Sequence, residues 1–198
     1  MRPSLLFRFA IFVVTTLAAV AADAAREIPC EYRDGMIWVK VTATSDGVSL
    51  NFLLDSGAGA SVLDLAAARR IGVKLGRSET VHGVSGRTTA YRVNGFDART
   101  GETAGPASLL ALDLSDVSAS VSRRIDGLLG ADFLRGRAVQ IDYAAGRLRL
   151  LERAEVSAAG CESLPLVRRN DALCIRVAVA GNSAEWMRVD TGCNSALE

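Results

Sequence analysis

The sequence predicts an all-β fold, and two features carry that expectation. Runs rich in β-branched and aromatic residues recur between turn-forming clusters, as in 36–43, 48–54, 139–143 and 147–150. Against them stands one clear helical stretch in the first half, 63–70, where Leu63, Leu65 and Ala66 precede two arginines and Gly72.

The chain of 198 residues is 49% hydrophobic and 23% charged, an ordinary globular composition. Lys and Arg number 23 against 22 Asp and Glu, a formal charge of +1. That balance gives no electrostatic case for a nucleic-acid partner or an anionic membrane surface.

Residues 1–25 read as a secretory signal peptide. Arg2 and Arg8 precede an apolar run from Phe9 to Ala22, and Ala22-Asp23-Ala24 offers the small residues a signal peptidase accepts. The run is shorter than the roughly 20 residues that span a bilayer, so no stable membrane span is expected after cleavage. A periplasmic or secreted location follows. Export permits disulfides, and the four cysteines (Cys30, Cys161, Cys174, Cys193) are even in number, though their spacing does not dictate a pairing. With no Cys-x-x-Cys and a single histidine, His82, no metal site and no cofactor are expected.

The exported part begins with a hairpin. Met36–Ala43 and Val48–Leu54 flank a Ser45-Asp46-Gly47 turn, and the second strand runs straight into Asp55-Ser56-Gly57-Ala58-Gly59-Ala60-Ser61. A buried strand thus delivers one carboxylate into a loop of small residues. Glu79 to Val93 reads as a glycine hairpin around Gly83-Val84-Ser85-Gly86, with turns between 94 and 105 and a strand at 109–114. The apolar, glycine-bounded Ile125–Leu134 follows, then a hairpin joining 139–143 to 147–150 across Ala144-Ala145-Gly146. Residues 153–163 are polar and small, a linker.

The chain then repeats itself. Leu164-Pro165 echoes Ile28-Pro29 and Leu173–Val177 echoes Ile37–Val41, both at a spacing of 136; Val189-Asp190-Thr191-Gly192 echoes Leu54-Asp55-Ser56-Gly57 at 135. Residues 164–198 are therefore expected to be the beginning of a second, incomplete copy of the unit in 26–152.

Asp55-Ser56-Gly57-Ala58, the hairpin at Gly83 to Gly86, Asp126–Leu134 and Ile141-Asp142-Tyr143 together resemble the retropepsin-like aspartic peptidases, particularly their bacterial exported members. The resemblance covers roughly residues 28–152 and recurs in 164–198. It implies an all-β acid protease barrel with one or two short helices. It also implies that Asp55 is a catalytic carboxylate, that Ser56 and Gly57 support its loop, that Gly83, Val84, Ser85 and Gly86 form a flap, and that Leu128, Leu129 and Gly130 pass behind the site.

The implied reaction, hydrolysis of a peptide or protein substrate by an aspartic endopeptidase, needs a second carboxylate. One aspartate takes a proton from water while the other, protonated, polarises the scissile carbonyl. Two close carboxylates cannot both ionise cheaply and titrate as a pair. The partner is either Asp55 of a second chain in a homodimer or Asp190, supported by Thr191 and Gly192. The rival expectation is a non-catalytic module that keeps the fold and binds extended peptide by strand addition. A serine hydrolase would have to use His82 without a Gly-x-Ser-x-Gly turn, and phosphate-binding loops and dinucleotide fingerprints are absent. Asp126, Asp132 and Asp142 are expected to cap turns or lie at the surface.

Overall fold

The structure is a computed structural model describing residues 27–83, 86–157, 159–169 and 172–194. The expected signal peptide lies outside these residues, as do Val84 and Ser85.

Strand β1 (Glu27–Arg33) turns into β2 (Met36–Ala43) through Asp34 and Gly35, both at positive φ (55° and 78°). This left-handed pair matches the twist of the strands it joins. β2 pairs antiparallel with β3 (Ser49–Leu54), with Trp38 opposite Leu53 and Thr42 opposite Ser49. The expected hairpin is there, its turn braced by Asp46 Oδ1, which accepts from Val48 N at 3.1 Å.

β2 and β3 are apolar because they separate two cores. Ile37, Val39, Val41, Leu50, Phe52 and Leu54 face the larger core; Met36, Trp38 and Leu53 face a smaller one with Val62, Leu114 and Ile125. Burying a side chain of this size contributes about 1.5–3 kcal/mol, so this hairpin is the anchor of the fold.

β4 (Val62–Asp64) leads into α1 (Leu65–Arg70). The helix starts later than the expected Leu63 because Leu63 and Asp64 pair as strand, and Asp64 caps it, with Oδ2 accepting from Ala67 N at 3.0 Å. β5 (Lys74–Gly83) and β6 (Gly86–Asn94) form the glycine hairpin, longer than expected. The stretch expected to be turns holds two short strands, β7 (Ala98–Thr100) and β8 (Thr103–Ala104).

β9 (Leu110–Leu112), α2 (Ser115–Ala119), β10 (Gly127–Leu129) and α3 (Ala131–Leu134) follow. The apolar segment 125–134 is thus split at Gly130 into strand and helix. β11 (Ala138–Asp142) and β12 (Arg147–Leu151) form the hairpin expected there. A 3-10 turn at Arg153–Glu155 opens the expected linker. Beyond it β13 (Val167–Arg169), β14 (Ala172–Val177) and β15 (Glu185–Arg188) make a separate antiparallel sheet.

The expected barrel is not formed. The twelve-stranded sheet runs β11-β12-β1-β2-β3-β10-β4-β9-β6-β5, with β7 and β8 attached at β2, and its two end strands do not meet. It is mixed, since β10 lies parallel to β3 and β4 parallel to β9. Closure requires apolar side chains on the inner face of both edge strands. β5 has no buried residue on either face, so nothing draws it back over the core. Among the described residues the fold is β-dominated with three short α-helices and a 3-10 turn, more helix than the one or two expected.

None of the four cysteines is in a disulfide; Cys174 is buried, Cys30 half-buried and Cys161 exposed. Among the described residues no helix is long and apolar enough to cross a membrane.

Candidate active site

Asp55 leaves the end of β3 at a point fixed from behind. β10 runs parallel to β3 with Leu129 opposite Leu54, and Leu129 O accepts from Asp55 N at 2.9 Å. The loop then folds on its own carboxylate, with Asp55 Oδ1 accepting from Gly57 N and Ala58 N, each at 2.9 Å.

A similar Asp-x-Gly turn forms at Asp190. β15 ends two residues earlier, and Asp190 Oδ1 accepts from Gly192 N at 2.9 Å. The two loops interlock through reciprocal hydrogen bonds. Ser56 N donates to Thr191 Oγ1 and Thr191 N to Ser56 Oγ, both at 3.1 Å. Each hydroxyl also donates to the backbone beyond, Ser56 Oγ to Val189 O and Thr191 Oγ1 to Leu54 O, both at 2.7 Å.

Glycine is required at the crossing. A Cβ on Gly57 would lie 2.5 Å from Asp190 Cγ, and one on Gly192 would lie 2.5 Å from Asp55 Cγ. Each loop therefore packs its glycine against the other's carboxylate. Burial and the neighbouring Asp190 charge push Asp55 up to about 6 from 3.8, against the lowering effect of the Ala58 and Gly57 N–H bonds.

Leu128, Leu129 and Gly130 run beside the strand and loop that carry Asp55. Leu129 is buried in the main core, Leu128 packs on the smaller one, and a Cβ on Gly130 would press on Ala60 C at 2.6 Å. Gly83 and Gly86 face each other at the end of the β5–β6 hairpin. Among the described residues no hydrogen bond connects them to either aspartate loop, and Val84 and Ser85 lie outside the described residues.

One further residue holds the site, and sequence reading did not single it out for it. Ser61 is fully buried; its Oγ accepts from Gly130 N at 3.0 Å and donates to Asp132 Oδ1 at 2.7 Å. Together with Ala131 N donating to Ala58 O at 2.8 Å, this ties the Asp55 loop to the turn between β10 and α3. A serine closing a run of glycine and alanine was the available signal.

Asp126 corrects an expectation, being neither a turn cap nor a surface charge. It is 3% exposed, accepts from Asn51 N at 2.9 Å, and pairs with Arg70 at 2.8 Å and Arg124 at 3.3 Å. Asp142 does cap its turn, accepting from Ala145 N at 2.8 Å. Among the described residues no three His, Cys, Asp or Glu side chains gather in a way that would hold a metal ion.

Sequence comparison matches residues 41–133 to the model of the family described as aspartyl protease. The match contains the Asp55 loop, the glycine hairpin and β10, and ends before Asp190. No curated protein matches the chain. Among solved structures, a retropepsin-like aspartic protease from Rickettsia conorii is 21% identical, with 63% of this chain and 89% of that chain covered and a TM-score of 0.39. The EIAV protease complexed with the inhibitor HBY-793 is 25% identical, over 50% and 84% of the two chains, at a TM-score of 0.35. The retroviral protease-like domain of Ddi1 from Leishmania major is 17% identical, over 62% and 98%, at 0.36. At these scores the structural likeness adds no weight, and the likeness to the family rests on the sequence match: residues 41–133 match the aspartyl protease family model.

Proposed function

We propose that the chain is an aspartic endopeptidase in which Asp55 and Asp190 of one chain hold and activate the attacking water. The observation that supports this reading is the interlocking of the two loops: each carboxylate is bonded to its own loop's glycine N–H and lies against the other loop's glycine, across the Ser56–Thr191 contact.

A pair with one proton between two carboxylates has what peptide hydrolysis needs. The ionised member takes a proton from water, whose oxygen bonds to the peptide carbonyl carbon. The protonated member gives its proton to the carbonyl oxygen. The tetrahedral diol then loses its amine as the C–N bond breaks, one hydroxyl proton passing through the pair to the nitrogen. No metal or cofactor enters this sequence. Asp55, pushed up to about 6, is the member suited to hold the proton under mildly acidic conditions.

In this reading one chain completes the site, and a homodimer is not required. Export to the periplasm or beyond is part of the proposal, supported by Arg2, Arg8 and the apolar run that follows.

Cleavage of an unstructured protein substrate, followed against pH, tests it. The parent should cleave with an acidic optimum, and Asp55→Asn and Asp190→Asn should each abolish cleavage. Undiminished cleavage by Asp55→Asn sinks the peptidase reading. Undiminished cleavage by Asp190→Asn sinks the single-chain pairing, and sedimentation of that variant then shows whether two Asp55 residues meet in a dimer.

A further inference from the structure

We infer that Gly35 is a positioning residue for Asp190: the turn between β1 and β2 seats Asn194 and so sets how the second aspartate loop lies against the first. Its effect on catalysis rests on the proposed pairing of Asp55 with Asp190. The seat itself rests on packing alone.

Asp34 and Gly35 both have left-handed backbones, yet only one of them is glycine. Aspartate and asparagine enter that region more readily than other side chains, as Asp34 does at φ 55°, so the turn by itself does not demand glycine at the following φ of 78°. A neighbour demands it. A Cβ on Gly35 would lie 3.3 Å from Asn194 Cα and 3.4 Å from both Asn194 Cβ and Asn194 O. The β2–β3 turn supplies the contrast, since Gly47 has φ 70° and a Cβ added there meets nothing within 4 Å.

Of the two partners, the turn is the firmer. Trp38, 3% exposed in the smaller core, donates from Nε1 to Arg33 O at 3.2 Å, and Met36 beside the turn is 2% exposed in the same core. Ser122 Oγ donates to Asp34 Oδ2. The next residue, Arg123, lies 5.2 Å from the Trp38 ring centroid and pairs with Glu31 at 2.8 Å. Asn194 is exposed, so crowding at the seat moves the loop and leaves the turn in place.

The second loop thus meets the first unit on both sides of Gly192. Thr191 is gripped by Ser56 before it, and Asn194 rests on Gly35 after it. Between these points Gly192 N donates to Asp190 Oδ1, and Gly192 packs against the Asp55 carboxylate. The Ser56–Thr191 bonds alone leave the loop free to swing about them; the Gly35 seat removes that freedom and narrows the spacing of the two carboxylates.

The test uses the full chain. Amide hydrogen exchange at Gly192 reads the loop without reference to catalysis. Gly35→Asn suits the left-handed backbone but brings a Cβ against Asn194, and it should speed that exchange about tenfold. Gly47→Ala brings backbone strain without a contact and should stay within about twofold of the parent. Cleavage is read on a peptide taken from a site that the parent cuts in an unstructured protein. Gly35→Asn should lower kcat about threefold to tenfold with KM little changed, a fraction of the roughly hundredfold that a full ångström costs. Burial and the Asp190 charge hold Asp55 up, so a wider pair should also move the high-pH limb of the rate profile down by about 0.3 pH unit. Loss of folded protein would scale that profile without shifting it. A parent that does not cleave removes the peptidase reading alone, and the exchange result still decides the seat. Exchange at Gly192 in Gly35→Asn within about twofold of the parent, or an equal rise in Gly47→Ala, overturns the inference.

Discussion

Ser56 and Thr191 grip each other across the two aspartate loops, each donating a backbone N–H to the other's hydroxyl at 3.1 Å. Each hydroxyl also donates a hydrogen bond to the backbone preceding the opposite aspartate, at Val189 O and Leu54 O. The contact is part-buried, so loss of one hydroxyl leaves donors and acceptors on both loops without partners.

Ser56→Ala and Thr191→Ala should therefore each destabilise the chain by about 1–3 kcal/mol. The double variant should cost less than the sum, because either change already breaks the shared network. Chemical denaturation of the four proteins in a double-mutant cycle measures this. Additive effects would show that the hydroxyls act independently.

Asp55 makes stability depend on pH. Its folded value, about 6, lies above the ordinary 3.8, so the folded state binds the proton more tightly than the unfolded state. The associated stabilisation is fully present below about 3.8 and is lost as pH rises through about 6. The melting temperature of the parent minus that of Asp55→Asn should fall across this window. A difference that is flat between pH 4 and 7 would contradict the burial and charge effects assigned to Asp55.

Gly57→Ala and Gly192→Ala each place a methyl group against the opposite carboxylate. The loops must separate or the carboxylates must swing aside. On the proposed peptidase reading, a displacement near 1 Å costs on the order of a hundredfold in rate. Turnover of a peptide substrate by each variant, with circular dichroism to verify the fold, checks it.

Ser61→Ala leaves Gly130 N and the Asp132 carboxylate without the hydroxyl that joins them. The expected loss is about 1–3 kcal/mol for a buried unsatisfied donor, or roughly 2–10 °C in melting temperature for a chain of this size. Ser61→Thr keeps the hydroxyl and should recover part of the loss. A thermal melt of the three proteins distinguishes the hydroxyl's hydrogen bonds from its packing.

Much of the fold was legible because local pattern and tertiary role agree. Met36–Ala43 and Ser49–Leu54 are apolar on both faces because each face meets a core, and the turn between them carries Asp46 and Gly47. The hairpin of β11 and β12 was equally plain. Helices were harder to read: Ala131–Leu134 and Ser115–Ala119 are too short to show a period, and Leu63 looks helical but pairs as strand.

Backbone preference and alternation along a few residues sufficed to read the β2–β3 and β11–β12 hairpins, the two Asp-x-Gly turns and the glycine hairpin, but not the short strands β4, β7 and β8. Tertiary structure decided how they combine. Whether a sheet closes depends on what its edge strands can bury, and the exposed faces of Lys74–Gly83 leave this one open. The contact of Ser56 with Thr191 and the burial of Ser61 and Asp126 join residues distant in the chain, and no local pattern records which donor will meet which acceptor once both are withdrawn from water.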